Sequence, residues 1–502
     1  MKLFTQHWLL CSLLIPLVLG ITFVWSPAWA AVATGATEGA ELSKALLLSE
    51  RPAAVGDLEI NQPWLYTMMV SALFKTFGTS AGIARLFTLI SAATMLVALG
   101  WMLHHVVGGL RLLLVGIFCF SVKGMLMLSM SAQPGLPAIS FAILATAIIY
   151  KPVHPPGWKR LLLSGVLLAC ATQITFMALT VLPAFVVFVF RQWEWRSACK
   201  YLRFWGIGLV MATLIIMVLS PNVNFRHLLN SPTGPIENQP QFHLNTLFFN
   251  PGLMLAAGFG IFQLAKRKYP APLLFASAWL ATVTILAWVW GYWPESEMAQ
   301  FYIPMAMLGT AGFAAAFSSV LSVFQAGPVS AQPLQNSVRQ IDTHNELNML
   351  AAVTIFAFWV GFTVPDFVAE LKQLHRLPAV KDNELCLSIK ENAKSTKWCY
   401  TRFAEYAFAN HVLIPPELIG LTQLDGKYGQ TNTSLLKMVK KNQPEQLLLA
   451  ANIELRDQEW KTWTTNHYIL VDQDGEKELW VSRSLHPQNI QPSNDILRKL
   501  GL

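Results

Sequence analysis

The stretch that decides the fold runs from Thr37 to Leu86 and reads TEGAELSKALLLSERPAAVGDLEINQPWLYTMMVSALFKTFGTSAGIARL. It follows the first hydrophobic run of the chain and carries five acidic side chains, at Glu38, Glu41, Glu50, Asp57 and Glu59. An aromatic, amphipathic segment comes next and leads to Arg85. Carboxylates grouped between two apolar runs, followed by aromatics that suit a headgroup layer, indicate a carboxylate-bearing site at a membrane surface.

The composition of the whole chain is that of a polytopic membrane protein. Of its 502 residues, 54% are hydrophobic and 13% are charged, whereas a soluble domain carries about 25% charged residues. The formal net charge of +8 comes largely from short loops between apolar runs, where basic residues set orientation. Because no basic stripe is interleaved with aromatics, we predict no nucleic-acid partner.

The apolar runs predict about eleven membrane-spanning helices. The first can be read in two ways, since Ala28-Trp29-Ala30 resembles a signal-peptidase site. Its apolar core of about 18 residues is long enough to span, which favours a retained anchor. The runs lie near residues 8–27, 81–103, 108–130, 136–150, 161–176, 177–190, 204–219, 250–265, 271–290, 300–323 and 348–364.

Four basic sites predict one orientation of these helices. Placing the basic loops inside leaves the loops 31–80, 220–249 and 291–299 outside, together with the C-terminal region. The protein is therefore expected in the inner (plasma) membrane. The basic sites are Arg111; Lys151, Lys159 and Arg160; Arg191, Arg196, Lys200 and Arg203; and Lys266, Arg267 and Lys268.

Residues 1–364 are expected to form the transmembrane domain, and residues 365–502 a small extracytoplasmic α/β domain. In the second domain, Thr433–Lys441 reads as a helix, Gln446–Ala450 as a buried strand and His467–Ser482 as a hairpin turning at Asp-Gln-Asp-Gly. Outside the cytoplasm, Cys386 and Cys399 could form a disulfide. They could equally be two unrelated thiols.

The acidic loop and Arg85 each have an ordinary explanation beside a functional one. Glu38 and Glu41 share a helix face if this segment is helical, and that helix could simply lie on the membrane with its leucines in the lipid boundary. Arg85 could snorkel to the interface or contact an anion.

The order of short motifs resembles the GT-C class of membrane glycosyltransferases, which use polyprenyl-phosphate sugars. This superfamily includes the protein O-mannosyltransferases and the lipid A aminoarabinose transferases. Its members show an acidic pair after the first span, a Pro-Pro-Leu motif, an aromatic helix ending Phe-Gly and a helix opening Ala-Ala-Arg-Leu. The matching segments here are Thr37-Glu38, Gln62-Pro63-Trp64-Leu65, Phe77-Gly78, Ile83-Ala84-Arg85-Leu86 and, later, Phe301-Tyr302-Ile303-Pro304.

The resemblance implies a GT-C-like fold of about eleven helices with an appended α/β domain, and a transferase mechanism. A carboxylate near the acceptor would act as general base and cationic groups would hold the leaving phosphate. Glu38 is the expected base, with Glu41 beside it and Asp57 and Glu59 as competitors. Expected substrate-binding residues are Asp57, Glu59, Gln62, Arg85, Arg226, His227 and Tyr302.

No cofactor follows firmly from this resemblance, although a divalent metal is possible and would sit at Glu38 and Glu41. The expected function is hexosyl or pentosyl transfer from a polyprenyl-phosphate donor to an extracytoplasmic lipid, glycan or protein. Thr37 and Gln62 stand where the family has charged residues, so a catalytically degenerate GT-C protein that only binds the lipid-linked substrate is the alternative. A transporter would need ionisable groups within the spans, and few occur.

Overall fold

The computed structural model describes most of the chain. The described residues are 8–25, 36–52, 63–107, 113–120, 122, 124–150, 156–219, 251–266, 270–290, 297–325, 350, 353–354, 357, 361, 364–374, 383–419 and 432–485.

An all-helical domain forms the first part of the described chain. Three of its helices are long and apolar enough to cross a membrane, over Ala81–His104, Trp195–Val218 and Ala271–Val289, and others are apolar but shorter. Its helices are α1 Trp8–Trp25, α2 Ala36–Glu50, α3 Leu65–Phe77, α4 Ala81–Val107, α5 Leu113–Phe120, α6 Met125–Ser129, α7 Gly135–Ile149, α8 Trp158–Ile174, α9 Val181–Gln192, α10 Trp195–Leu219, α11 Pro251–Lys266, α12 Ala271–Trp290 and α13 Ala299–Gln325.

One predicted span is not a continuous helix. The apolar run near 108–130 contains α5 and α6 as separate helices, and Gly124 between them has a φ of 89°. Since a residue in the left-handed region cannot continue a right-handed helix, the chain must turn there. The prediction of a single span over 108–130 is therefore wrong, while the total of about eleven spans stays a prediction.

Close helix crossings in this domain depend on glycine. Helices α8 and α10 meet at Gly165 and Gly208, where an added Cβ would lie 2.2 Å from the backbone oxygen of Trp205 and 2.4 Å from that of Leu162. Small residues allow such backbone approach, which is how apolar helices gain packing energy in a membrane. The other face of α10 exposes Val210, Leu214 and similar residues, as a lipid-facing surface would.

Helix α2 is buried rather than laid on a surface. Its leucines Leu42, Leu46 and Leu47 are at most 1% exposed, and its polar residues Glu38 and Glu41 are also buried. Helix α3 packs on one side of it, and a helix of the C-terminal domain packs on another. The interpretation of this segment as a membrane-surface helix is therefore wrong, because neighbouring elements cover both its apolar and its acidic positions.

The C-terminal domain is a small α/β unit. Its strands are β1 Cys399–Thr401, β2 Gln446–Ala450, β3 Tyr468–Asp474 and β4 Lys477–Ser482, in the order β1-β2-β4-β3. β1 and β2 are parallel, and the other neighbours are antiparallel. Its helices are α14 Glu384–Ala393, α15 Ala404–Ala409, α16 Pro416–Ile419, α17 Asn432–Asn442 and α18 Gln458–His467.

The sequence predictions for this domain are confirmed at the level of its elements. Helix α17, the buried strand β2 and the β3–β4 hairpin lie where they were expected, and Gly475 takes a φ of 59° in the turn. Cys386 and Cys399 are free thiols in one small apolar cluster, so the disulfide alternative does not hold. Burial raises the pKa of Cys386 to about 11 and of Cys399 to about 12, which keeps both thiols protonated and inert.

Candidate active site at one end of the helical domain

Glu38 on α2 and Arg85 on α4 form a bidentate ion pair. Arg85 Nε donates to Glu38 Oε1 at 2.8 Å, and Arg85 Nη2 donates to Glu38 Oε2 at 2.9 Å. The backbone N–H of Ala132, in the turn before α7, donates to the same Oε1 at 2.7 Å. The planar guanidinium matches the two carboxylate oxygens, so the pair ties α2, α4 and this turn together.

Both members of this pair are fully buried, with 0% exposure each. Arg85 therefore does not snorkel, since α2 covers it and supplies its counter-charge. Oε1 of Glu38 already accepts two hydrogen bonds, which fills the lone pairs of that oxygen. The geometry accordingly favours a structural part for the pair, and the roles expected for Glu38 as base and Arg85 as phosphate ligand stay predictions.

Glu41, one turn further along α2, has its own partners. Lys44 Nζ donates to Glu41 Oε1 at 2.8 Å, and Thr67 Oγ1 on α3 donates to Oε2 at 3.3 Å. All three side chains are buried. The ion pair lies within α2, and the Thr67 hydrogen bond links α3 to α2.

The two glutamates do not fit a divalent metal in this arrangement. Each binds a cationic side chain, Arg85 or Lys44, whose positive charge would oppose a bound cation. Among the described residues, no three His, Cys, Asp or Glu side chains are grouped to hold a metal ion. A metal at Glu38 and Glu41 would first have to displace both ion pairs.

Glu297, just before α13, heads a buried hydrogen-bond network that the sequence analysis did not assign to the site. Thr175 Oγ1 donates to its Oε1 at 2.9 Å, and Gln300 Nε2 donates to its Oε2 at 2.9 Å. The amide oxygen of Gln300 in turn accepts from Thr180, whose Oγ1 accepts from Trp279 Nε1 at 3.3 Å. Burial raises the pKa of Glu297 to about 7. An acidic residue directly before a late apolar run was the one sequence signal for it.

A turn at Gly124 connects this network to the rest of the site. The backbone N–H of Gly124 donates to Glu370 in the helical segment 364–374. A Cβ on Gly124 would lie 3.2 Å from Met298 Cε, next to Glu297. Since the same stretch of chain ends at Ala132 beside Glu38, the buried polar groups of α2, 124–132, 175–180 and 297–300 gather at one end of the helical domain. We call these residues the polar end.

The C-terminal domain packs directly on the polar end through α15. A Cβ on Gly39 would lie 2.4 Å from the backbone N of Glu405, so the two backbones touch. Ser43 Oγ donates to the Ala404 carbonyl at 3.2 Å, and Phe74 stacks on Phe408 with ring centroids 5.8 Å apart. The helix that carries Glu38 is thus shared between the two domains.

The carboxyl group of Glu405 lies at this contact. Its Oε2 is buried and has no hydrogen-bond partner among the described residues. Burial, which is the largest cause, raises the pKa of Glu405; its own backbone amide and Lys477 oppose the rise, and the charge of Glu38 adds to it. Lys477, on β4, donates to the Tyr406 hydroxyl at 2.8 Å. Sequence reasoning did not select Glu405, because no motif connects it to α2.

The remaining predicted site residues divide into two groups. Tyr302 lies on α13 and is 3% exposed, two residues after Gln300 of the Glu297 network. The others lie outside the described residues, namely Asp57, Glu59, Gln62, Arg226 and His227.

Solved structures with the same fold cover nearly the whole chain. ArnT from Cupriavidus metallidurans superposes with a TM-score of 0.60, both in its apo state and bound to undecaprenyl phosphate. The chain has the fold of ArnT. Each match covers 95% of this chain and 98% of the ArnT chain at 13% sequence identity. No family model matches the sequence, and no curated protein matches it.

The ArnT fold accounts for both parts of the molecule. Coverage of 95% of this chain includes the helical domain and the C-terminal domain, so the α/β unit is part of the shared fold rather than an addition to it. This agrees with the GT-C-like architecture that the motif order implied.

Proposed function

We propose that this protein transfers a sugar from a polyprenyl-phosphate donor to an acceptor outside the cytoplasm. The observation that carries the proposal is the full-length match of fold to ArnT, one structure of which is bound to undecaprenyl phosphate. The polar end, with its buried carboxylates and cations, supplies the kind of preorganised charge that group transfer from a phosphate needs. The sugar is a hexose or pentose, and the acceptor a lipid, glycan or protein.

The polar end and the C-terminal domain face away from the cytoplasm in this proposal. The basic loops at Lys159–Arg160 and at Arg191–Lys200 lie at the opposite ends of α8 and α9 from Thr175 and Thr180. Basic loops stay on the cytoplasmic side. The protein would then be a multi-pass protein of the inner membrane, with its site at the membrane surface where a lipid-linked donor presents its headgroup.

The transfer itself requires one proton acceptor and one leaving group. The acceptor hydroxyl attacks the anomeric carbon, so that a new carbon–oxygen bond forms while the bond from that carbon to the phosphate oxygen breaks. The hydroxyl proton passes to a carboxylate, and the lipid phosphate leaves with the bond electrons. Glu38, Glu41, Asp57 and Glu59 remain the carboxylates proposed from the sequence.

A second candidate function is binding of the lipid-linked substrate without turnover. The closed ion pairs at Glu38 and Glu41 favour it, because both carboxylates are already engaged by cations. Thr37, where the resembled family has an acid, points the same way. This candidate shares the donor site with the first and differs only in the chemical step.

Donor binding is tested with undecaprenyl phosphate added to the purified full-length protein in detergent. A ligand at about 100 times its Kd stabilises the folded state by about 2.7 kcal/mol, which a thermal unfolding curve resolves. We expect saturable stabilisation by undecaprenyl phosphate and none by phosphatidylglycerol at equal concentration. Equal shifts with both lipids would mean that only bulk lipid binds, and would contradict both candidate functions.

A further inference from the structure

The acidic side chains of the polar end differ in how many hydrogen bonds their carboxylate oxygens already accept. Glu38 accepts from Arg85 with both oxygens and from Ala132 with one of them. Glu41 accepts from Lys44 and Thr67, one on each oxygen. A base must present an unoccupied lone pair to the hydroxyl that it deprotonates, and on these two carboxylates every oxygen already accepts at least one hydrogen bond.

Glu405 is different in this respect. Its Oε2 is buried and has no hydrogen-bond partner among the described residues, while the side chain as a whole remains partly accessible. A buried carboxylate oxygen without a partner has lost its water and has gained no hydrogen bond in return, which is unfavourable. Such a group in a folded protein calls for an explanation, and a catalytic role is one of those known.

The position of Glu405 is fixed by backbone packing and not by its own side chain. The contact of Gly39 with the Glu405 backbone N and the Ser43–Ala404 hydrogen bond hold α15 against α2. The two carboxyl groups, Glu38 and Glu405, are close enough for the first to affect the second electrostatically. Glu405 therefore belongs to the polar end although it comes from the C-terminal domain.

We propose that Glu405 is the proton acceptor for the incoming hydroxyl, and that the active site is completed by the C-terminal domain. This inference rests on the proposed transferase function and names its base. In the step, the acceptor O–H proton moves to Glu405 as the acceptor oxygen bonds to the anomeric carbon, and the polyprenyl phosphate leaves as the anion.

The surroundings of Glu405 shift its pKa in the direction that favours a general base. Burial and the charge of Glu38 raise its pKa, while Lys477 on β4 and its own backbone amide limit the rise. A carboxylate whose pKa lies closer to the working pH is a stronger base than an ordinary one and still ionised enough to act. Protonation of Glu405 should therefore produce the acidic limb of the rate profile.

The test compares wild type with Glu405→Gln in proteoliposomes of the full-length protein. The probes are undecaprenyl phosphate esters of radiolabelled hexoses and pentoses, added one at a time with an extract of the source cells that contains lipids, glycans and proteins as acceptors. We expect kcat to fall at least about 100-fold, the usual contribution of a general base, and the acidic limb to disappear. Stabilisation by undecaprenyl phosphate should be unchanged. Glu459→Gln, an exposed and isosteric change, should behave as wild type.

The possible outcomes separate the assignment of Glu405 as the base from the proposed transferase function on which it rests. Wild-type kcat and pH profile in Glu405→Gln, with an active wild type, would overturn the assignment of Glu405 and leave the transferase function standing. An inactive wild type with every donor would overturn both. If Glu405→Gln unfolds, Glu405→Asp replaces it. A shorter carboxylate should keep the acidic limb and lower kcat at least about tenfold, whereas an unchanged kcat would again overturn the assignment.

Discussion

Burial of the Glu38–Arg85 ion pair has a desolvation cost, and the pair is held in one geometry. Each has lost its water entirely, and an ion that is buried without a partner costs several kcal/mol. The bidentate geometry and the Ala132 N–H offset that cost. Removing one member should consequently do more harm than removing both, because a single buried charge would remain.

The Glu38–Arg85 pair is tested by a double-mutant cycle. We expect Arg85→Met to lower the free energy of unfolding by about 3–5 kcal/mol, since Glu38 would be left buried without its counter-charge. Glu38→Leu together with Arg85→Met should recover a large part of that loss. Chemical denaturation of the purified protein measures both. If the double variant were as unstable as the sum of the two single variants, the pair would not be coupled and the buried geometry would be contradicted.

Glu297 predicts a pH dependence of stability. Its pKa is about 7 in the folded protein, whereas the ordinary value for a glutamate is 4.5, so the folded state binds the proton more tightly than the unfolded state does. The contribution of Glu297 to the free energy of unfolding is therefore greatest below about pH 4.5. It falls by about 3 kcal/mol as the pH rises to about 7.

The matching variant is Glu297→Gln, which has no charge to titrate. We expect its stability relative to wild type to improve between pH 5 and pH 8, as followed by thermal unfolding at several pH values. Glu459→Gln, at an exposed ion pair, serves as the control and should show no such trend. A constant difference between Glu297→Gln and wild type across this range would mean that Glu297 titrates normally.

The sequence analysis identified some of these residues but did not predict their contacts. Glu38 stood out because it follows the first apolar run, and Arg85 because it lies at the start of the second. They are 47 positions apart, and nothing in the sequence indicates that they pair. Glu405 was missed because its proximity to α2 depends on how two domains pack. Glu297 had a weak local signal, whereas its partner Thr175 comes 122 positions earlier.

Helix α2 is the element on which the two domains meet. Its alternation of leucines and acids is typical of a helix at a lipid boundary, and in the structure α3 and α15 take the place of lipid and water. The helix itself was therefore predictable from the local pattern, but what covers it was not. Gly39 is the position in α2 that allows this contact, because any side chain there would meet the α15 backbone.

Gly39→Ala tests the α2–α15 contact. The added methyl would meet the Glu405 backbone at 2.4 Å, which a backbone shift must relieve at a cost of about 1–3 kcal/mol. We expect a lower thermal midpoint and faster proteolysis of the C-terminal domain. Gly206→Ala is the matched control, since a Cβ there meets nothing within 4 Å. It should be neutral or stabilising by up to about 1 kcal/mol. Equal behaviour of the two variants would contradict the contact.

At the scale of the whole molecule, hydropathy and motif order predicted a mostly helical protein with a small α/β unit towards its C-terminal end. The full-length likeness to ArnT agrees with that architecture. The number of spans did not follow as directly, because one apolar run of sufficient length is interrupted at Gly124. The position of the C-terminal domain on α2 depends on tertiary packing, so the sequence did not predict it. This packing brings residues of both domains into one candidate site.

The central proposal for this protein is that it turns over a polyprenyl-phosphate donor. The most direct test is to measure the release of undecaprenyl phosphate. Full-length protein in proteoliposomes is given undecaprenyl phosphate esters of radiolabelled hexoses and pentoses together with the source cell extract. We predict that one donor yields undecaprenyl phosphate, with an equal amount of label entering the extract. Saturable stabilisation by undecaprenyl phosphate without release from any donor would instead identify a binding protein, and would contradict the proposed transferase function.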